Sequence, residues 1–356
     1  MTSFRIFKQV PRLLFGENSI DRLNELLPIK KEENDYYVFI IDDVHKESSI
    51  IERIGVKETD IVEWFPASKK EPSTIQVDEI TEKIKKNKGS SKPISVIGIG
   101  GGSSMDVAKA VSVMLCNVGS SSEYQGWDLV PNSGIHKIGI PTVAGSGAEA
   151  SRTAVLMGKD RKFGINSDYS MFDAIIMDSS LIKKVPAAQR FYSGMDCYIH
   201  CVESLEGTMI NELAKGYAHK ALELCEKVFL EDGTDDMLMT ASYMGGVSIV
   251  NSEVGVCHAL SYGLSIELGY RHGFANCIAF NVLDEYYGEH VGKFRNMLKI
   301  HNISLPANVC KSLDSNAIDR MVAMTLRMER PLTNALGENW KEILTPDKII
   351  NFYGGM

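Results

Sequence analysis

The sequence predicts an α/β domain of Rossmann type over residues 1–182, followed by an all-α domain over residues 183–356. Three observations carry that reading. Short apolar runs alternate with helical patterns through the first half, a glycine-rich turn joins the third run to a helix, and after Val185-Pro186 strand-like runs give way to long helical periodicity. At 356 residues the chain is long enough for two cores.

The elements follow in order. Tyr37-Val38-Phe39-Ile40-Ile41 reads as a buried strand ending at Asp42-Asp43, Ile61 to Phe65 as a second, and Ile94 to Gly100 as a third. Between the last two, Ile75 to Ile84 has apolar residues at helical spacing with charges opposite, and strands separated by such helices imply a parallel sheet covered on both sides. The third strand runs into Gly100-Gly101-Gly102-Ser103-Ser104-Met105-Asp106, and the helix is expected over Val107 to Met114. Such a turn lets backbone N–H groups approach a phosphate at the positive end of a helix, although a tight turn in an ordinary α/β unit has the same composition. It lacks the Lys-Ser/Thr ending of a P-loop, which disfavours ATP hydrolysis.

Lys137 to Ile140 is a further strand, leading into Pro141-Thr142-Val143-Ala144-Gly145-Ser146-Gly147-Ala148-Glu149. Small residues and hydroxyls crowd this turn, as at a cofactor's pyrophosphate or in a plain connector. Lys162-Phe163-Gly164 and Ala174 to Asp178 read as a hairpin or edge-strand pair closing the sheet. Beyond the boundary, helices are expected from Ala187, over Asn211 to Val228 and over Asp236 to Val250, with Asn302 to Ser315 the most loop-like stretch.

The net charge of −8, with no long run of Lys or Arg, argues against a nucleic-acid partner and for small molecules. No apolar run is long enough to cross a bilayer, and Met1-Thr2-Ser3-Phe4-Arg5 lacks a signal-peptide core, so no membrane association and a cytoplasmic location are expected. The seven cysteines are an odd set in apolar or helical settings, which fits reduced core thiols.

Chemistry concentrates in the second half. Asp196 and His200, four positions apart on a helix, project from one face, and two more imidazoles, His258 and His272, would complete a four-ligand set. One carboxylate and three imidazoles suit a divalent ion such as Fe2+ or Zn2+, a Lewis acid for an alcohol or carbonyl oxygen when a coordination position is open. The Asp-x3-His pair alone is more often a surface or core pair than a ligand pair. Gly263 and Gly269 interrupt the span from His258 to His272, which predicts a helix followed by a turn. Cys197 and Cys201 are rival soft ligands, but each is offset by about 100° from the Asp196/His200 face, which favours packing.

Phe15-Gly16, the Gly-Gly-Gly-Ser turn, Pro141-Thr142-x-x-Gly145-Ser146-Gly147-x-Glu149, Gly194-Met195-Asp196-x3-His200 and His258-x13-His272-Gly273 occur in an order and spacing that resembles the iron-containing, or group III, alcohol dehydrogenase family over nearly the whole chain. The resemblance implies the dehydroquinate synthase-like fold of that family and metal-assisted hydride transfer between an alcohol and a nicotinamide cofactor. Asp196, His200, His258 and His272 would hold the metal, usually iron and often zinc. Gly100, Gly101, Gly102 and Ser103 would cradle the cofactor's pyrophosphate. Thr142, Ser146 and Gly147 would contact its middle and nicotinamide end, with Lys162 and Leu181 as further carry-overs. Asp42 and Asp43 follow the first Rossmann-type strand, where a carboxylate accepts from the ribose hydroxyls and repels a 2′-phosphate, so NAD is expected over NADP. A homodimer is also expected.

Two positions depart from the family pattern. Tyr262 stands where many members carry a second histidine four residues after the third ligand, and either Tyr262 or a ribose-linked water is the expected substitute for proton transfer. Arg271 stands before the last ligand, where proline is common; it is either a plain surface residue or, with Arg152, a partner for a substrate carboxylate. The chain is also similar to the branch of the family that oxidises C8 of 3-deoxy-manno-octulosonate for lipopolysaccharide, which makes a sugar acid the expected substrate. A simple alcohol or diol, a dehydroquinate synthase-like lyase cycle with transient NAD use, and a non-catalytic sensor are the alternatives.

Overall fold

The apolar runs of the first half become strands in the computed structural model, which describes residues 6–67, 71–89, 91–159 and 162–356. In chain order these elements are β1 (Leu13–Phe15), β2 (Tyr37–Asp42), α1 (Ile50–Ile54), β3 (Ile61–Phe65), α2 (Thr74–Lys88), β4 (Ser95–Gly100), α3 (Gly102–Met114), β5 (Gly126–Trp127), β6 (Lys137–Pro141), β7 (Thr153–Met157), β8 (Lys162–Asn166) and β9 (Ala174–Met177). Alternation along β2 explains why a parallel sheet forms. Val38 and Ile40 enter one core with Val77 and Ile84 of α2 and Val107 and Val111 of α3. Phe39 and Ile41 enter the other with Ile50 and Ile54 of α1. Strands apolar on both faces need helices on both faces.

The sheet order is β1-β9-β6-β4-β2-β3, with every pairing parallel. From β2 the chain steps outward to β3, returns to β4 on the other side of β2, and continues away through β6. The direction of winding therefore reverses between β2 and β4. Ligands of open α/β sheets bind outside the carboxyl ends of the strands at such a point.

Two expectations are corrected here. Lys162–Asn166 and Ala174–Met177 are not a hairpin or an edge pair. β8 pairs antiparallel with β7 and parallel with β5 in a separate three-stranded sheet. β9, buried along its whole length, lies between β1 and β6 inside the large sheet. The Ala-Ile-Ile-Met run reads as interior once both its faces are seen to be covered, and the strand that does form the hairpin, Thr153–Met157, was overlooked. The helix expected from Val107 begins at Gly102, because Gly101 takes an extended N-cap conformation and Gly102 to Asp106 already have helical geometry.

The chain divides into two compact units. One is Gln9–Ala144 with Ala148–Lys184; the other is Val185–Met356 together with Gly145–Gly147 and residues 6–8. The helices of the second unit are α4 (Ala187–Glu206), α5 (Glu212–Leu230), α6 (Asp235–Val250), α7 (Val256–Glu267), α8 (His272–Phe280), α9 (Asp284–Ile300), α10 (Ser315–Leu326), α11 (Glu329–Leu336), α12 (Trp340–Ile343) and α13 (Pro346–Gly355). Asn211 and Thr234 cap α5 and α6 by accepting from Ala214 N and Met237 N, which sets where these helices start. Gly263 does not interrupt α7. It lies inside that helix because a Cβ there would come within 2.5 Å of the Tyr353 hydroxyl. Gly269, at φ +69°, makes the turn that separates α7 from α8. Among the described residues no helix is long and apolar enough to cross a membrane.

Candidate metal centre and nucleotide cradle

At the reversal between β2 and β4, backbone geometry builds a cradle. Gly100 ends β4 with φ +153°, and a Cβ there would sit 2.7 Å from Ser104 Cβ and Oγ and 2.9 Å from Asp42 Cβ. Only glycine fits that conformation and that space. α3 begins two residues later, so its first N–H groups, which have no partner within the helix, open beside the strand end. An anion is the natural partner for such a helix start. Gly98 lets α3 lie close on the sheet, since a Cβ there would be 2.6 Å from Ala108 Cβ.

Around this turn stand Asp42, 9% exposed and accepting from Val44 N at 3.3 Å, and Asp43, half-buried in the turn that follows. Thr142 donates its N–H to Gly100 O at 2.9 Å, and its Oγ1 lies 3.0 Å from His45 Nε2. Burial pushes the His45 imidazole below its ordinary range, which keeps it neutral near pH 7. α3 is tied in place from beneath. Lys109, fully buried, donates to Asp106 at 3.3 Å, to Ser151 Oγ at 3.0 Å and to Thr153 O at 2.9 Å, while Asp106 accepts from Val155 N at 3.1 Å. Burial pushes this carboxyl up and this amine down, each held by the other.

The remaining expected cofactor residues are spread more widely. Lys162, in β8, is ion-paired with Glu71 at 2.8 Å. Leu181 is half-buried against the apolar core beneath the sheet. Ser146 and Gly147 belong to the helical unit. There Gly145 donates to Ser242 Oγ at 2.8 Å, and a Cβ on Gly147 (φ +65°) would lie 2.5 Å from Gly246 Cα. Close helix packing is thus one reason for these glycines.

The helical unit gathers side chains. Asp196 and His200 project from α4, His258 comes from the first turn of α7 and His272 heads α8. Their ligand atoms lie within 4.8 Å of one another. Asp196 Oδ1 is 3.7 Å from His200 Nε2, 3.5 Å from His258 Nε2 and 3.6 Å from His272 Nε2. Four donors placed about 2.1 Å from one ion at tetrahedral angles stand about 3.4 Å apart, so the set fits a divalent ion with little movement. Three of the four side chains are less than 10% exposed, and His272, at 29%, marks the open side.

Buried polar groups surround the ligands. Glu203, one turn beyond His200 on α4, lies 2.5 Å from His258 Nδ1. Asn276, one turn beyond His272, donates from Nδ2 to Asp196 Oδ1 at 2.6 Å and lies 3.1 Å from His258 Nε2 and 3.3 Å from His272 Nε2. The acceptors that would surround a cation here converge on an amide N–H2. Burial alone would raise the Asp196 carboxyl, but His200, His272 and His258 more than offset it and hold it well below the usual carboxylate range. Burial lowers His258, yet Glu203 and Asp196 overcome this and push it up to about 9. Both shifts have one cause, two carboxylates enclosed with three imidazoles. The charge of those carboxylates would balance that of one divalent cation.

Cys197 and Cys201 stand apart from this set. They are buried toward α6, where Cys197 Sγ donates to Ala241 O at 3.2 Å and a Cβ on Gly245 would touch both sulfurs. Arg152 is a correction. Its guanidinium is buried and ion-paired with Asp128 and Asp168, so it is committed within the small sheet and unsuited to a substrate carboxylate.

A family model described as iron-containing alcohol dehydrogenase matches residues 11–179, and one described as the C-terminal part of the Fe-containing alcohol dehydrogenase family matches residues 190–335. The chain belongs to the iron-containing alcohol dehydrogenase family. Among its relatives is the sulfoacetaldehyde reductase of Bilophila wadsworthia, 30% identical over 234 residues, 62% of this chain and 59% of that protein. The chain spans about three fifths of the length of that relative. Two solved structures share the fold. A 1,3-propanediol oxidoreductase superposes with a TM-score of 0.83 at 18% identity, covering 99% of each chain. The sulfoacetaldehyde reductase of Bifidobacterium kashiwanohense, solved in complex with NAD+, superposes with a TM-score of 0.79 at 20% identity, covering 99% of this chain and 98% of that one.

Within this family frame, sequence reading named the four residues that the fold gathers into one cluster but missed Glu203, Asn276, His45 and Lys109. Two of them carried a usable signal. Glu203 lies at i+7 from Asp196 and Asn276 at i+4 from His272, each on the stripe of a proposed ligand. His45 carried no such signal, since its partner Thr142 is 97 residues away, and for Lys109 only Asp106 is near, its other partners Ser151 and Thr153 lying 42 and 44 residues away.

Proposed function

We propose that this chain is a metal- and nicotinamide-dependent oxidoreductase that interconverts an alcohol with its aldehyde or ketone. The observation that carries the reading is the Asp196, His200, His258 and His272 set, spaced for one ion and open on the His272 side. Asp196 and the three imidazoles would hold iron or zinc, which when bound supplies Lewis acidity that makes an alcohol hydroxyl easier to deprotonate. Gly100, Gly101, Gly102 and Ser103 would hold the pyrophosphate of a nicotinamide cofactor, whose ring supplies the hydride acceptor or donor. The two carboxylates at the end of β2, Asp42 and Asp43, favour NAD by accepting from ribose hydroxyls and repelling a 2′-phosphate.

Tyr262 is the proton-handling group in this reading. It is half-buried in α7 with its ring 5.7 Å from the His272 ring, so its phenolic Oη can hold or pass the hydroxyl proton. Arg271, exposed at the N-cap of α8 beside His272, is the remaining candidate for a substrate carboxylate. On that footing the finer substrate proposal is a sugar acid such as 3-deoxy-manno-octulosonate, oxidised at its terminal C8 hydroxyl. Simple alcohols and diols need no such cation.

A substrate screen tests the reading. NADH absorbance is followed with the protein reconstituted separately with Fe2+, Zn2+ and Co2+, over sugar acids, diols and aliphatic alcohols and the corresponding aldehydes. Metal-dependent formation of NADH in step with alcohol consumed is expected. Failure of every alcohol and aldehyde with all three metals would overturn the assignment, and cofactor that is reduced and reoxidised without net NADH would point to a lyase.

A further inference from the structure

We infer that Glu203 is a positioning residue that fixes the His258 imidazole as a metal ligand and caps the helix that carries it, an inference that rests on the metal-centre reading above. The α4 stripe Asp196, His200 and Glu203 follows i, i+4, i+7 spacing, so one helix face presents two ligands and then a carboxylate that is 1% exposed. Glu203 Oε2 meets His258 Nδ1 at 2.5 Å. Oε1 accepts from Cys257 N at 2.6 Å and from the Tyr287 hydroxyl at 3.1 Å, and that hydroxyl accepts from Val256 N at 3.2 Å.

These contacts do two jobs at once. A carboxylate can only accept, so the proton of a neutral His258 must sit on Nδ1, leaving the Nε2 lone pair on the side of Asp196, 3.5 Å away. The opposite tautomer would place a hydrogen where an ion must bind. The same carboxylate satisfies an N–H in the first turn of α7, a helix of 12 residues whose own N-cap, Gly255, has no side chain to offer. A Cβ on Gly255 would lie 3.0 Å from Glu203 Oε1 and 2.8 Å from the Tyr287 hydroxyl, so the missing side chain makes room for the borrowed cap. His258 is the third residue of that helix. Its backbone and its ring are therefore set by one carboxylate from another helix, which is how an outer partner raises a ligand's affinity for metal.

Glutamine separates these duties. Its amide has one accepting oxygen and one donating nitrogen, so E203Q can serve either the Cys257 N–H or the His258 Nδ1–H through oxygen, but not both. Co2+ affinity of the full chain, measured by chelator competition and by its visible absorption, is compared for wild type, E203Q, E203D and Tyr287→Phe, with Tm of each metal-free protein alongside. E203Q is expected to weaken Co2+ binding by about 10–100-fold. Tyr287→Phe removes a donor to the other oxygen and leaves the imidazole bond, so it should lower Tm while holding Co2+ affinity near wild type. E203D keeps the charge but not the reach, and a loss of affinity in it carries the inference should E203Q fail to fold. Wild-type affinity in any folded Glu203 variant, with only Tm reduced, would reduce Glu203 to a helix cap and overturn the inference. A wild type that takes up no stoichiometric Co2+ is a different result, and it removes the metal-centre reading and this inference together.

Discussion

The cradle and the metal centre are built from opposite materials. At the ends of β2 and β4 the proposed working groups are backbone N–H groups, free of shielding side chains at Gly100 and Gly101, where α3 starts. In the helical unit the proposed working groups are side chains from α4, α7 and α8, which contact the buried Glu203 and Asn276. A backbone site breaks when an atom is added. A side-chain site breaks when one is removed, because the charges left behind are buried and lose their balance.

The largest test of that contrast is His200→Ala. Removing one ligand from a four-ligand set should abolish metal retention and cost several kcal/mol of transition-state stabilisation, or about a thousandfold or more in kcat/KM. NAD binding, whose proposed pyrophosphate cradle at residues 100–103 lies in the other unit, should be nearly unchanged. Elemental analysis with cofactor titration checks both, and stoichiometric metal in the variant would remove His200 from the ligand set. His272→Ala should behave alike, although its more exposed position makes partial replacement by solvent easier.

Cofactor choice asks whether the cradle uses side chains at all. Replacing Asp42-Asp43 by Gly-Ser removes the carboxylates that would face a 2′-phosphate, a like-charge contact worth several kcal/mol. The ratio of NADP to NAD dissociation constants should fall by about a hundredfold. An unchanged ratio would place the discriminating group elsewhere.

At the rim of the metal centre, Arg271→Ala sharpens the comparison from the substrate side. A charge-assisted bond to a carboxylate is worth about 1.5–3 kcal/mol, so kcat/KM for a sugar acid should fall by about ten- to a hundredfold while a neutral polyol is little affected. Equal losses for both substrates would mean that Arg271 acts on the fold, and the sugar-acid proposal would be dropped.

Gly100→Ala is the smallest change and the most direct test of a backbone-built site. One methyl group in a conformation reserved for glycine should cost about 1–3 kcal/mol of unfolding free energy. It should weaken NAD binding without altering metal content. A variant that binds NAD as wild type does would mean that the turn is a connector and the pyrophosphate lies elsewhere.

Asp196, His200, His258 and His272, the Gly-rich turn, the strands at Tyr37–Asp42, Ile61–Phe65 and Ser95–Gly100, and the sheet-then-helix architecture were legible in the sequence because each is written in local periodicity, turn chemistry or motif spacing. What the sequence could not assign are pairings between distant segments. Ala174–Met177 looks the same locally whether it closes an edge or fills the interior, and only its neighbours β1 and β6 decide. Arg152 looked like a free cation until Asp128 and Asp168 came to face it. Glu203 was one more helical glutamate until its carboxylate met the first turn of α7, 54 residues away at Cys257 and 55 at His258. Identity and local conformation are properties of a short stretch of chain. Partnership of buried charges is set by packing, because in a low-dielectric interior an ionised group must find its counterpart wherever the fold brings one within reach.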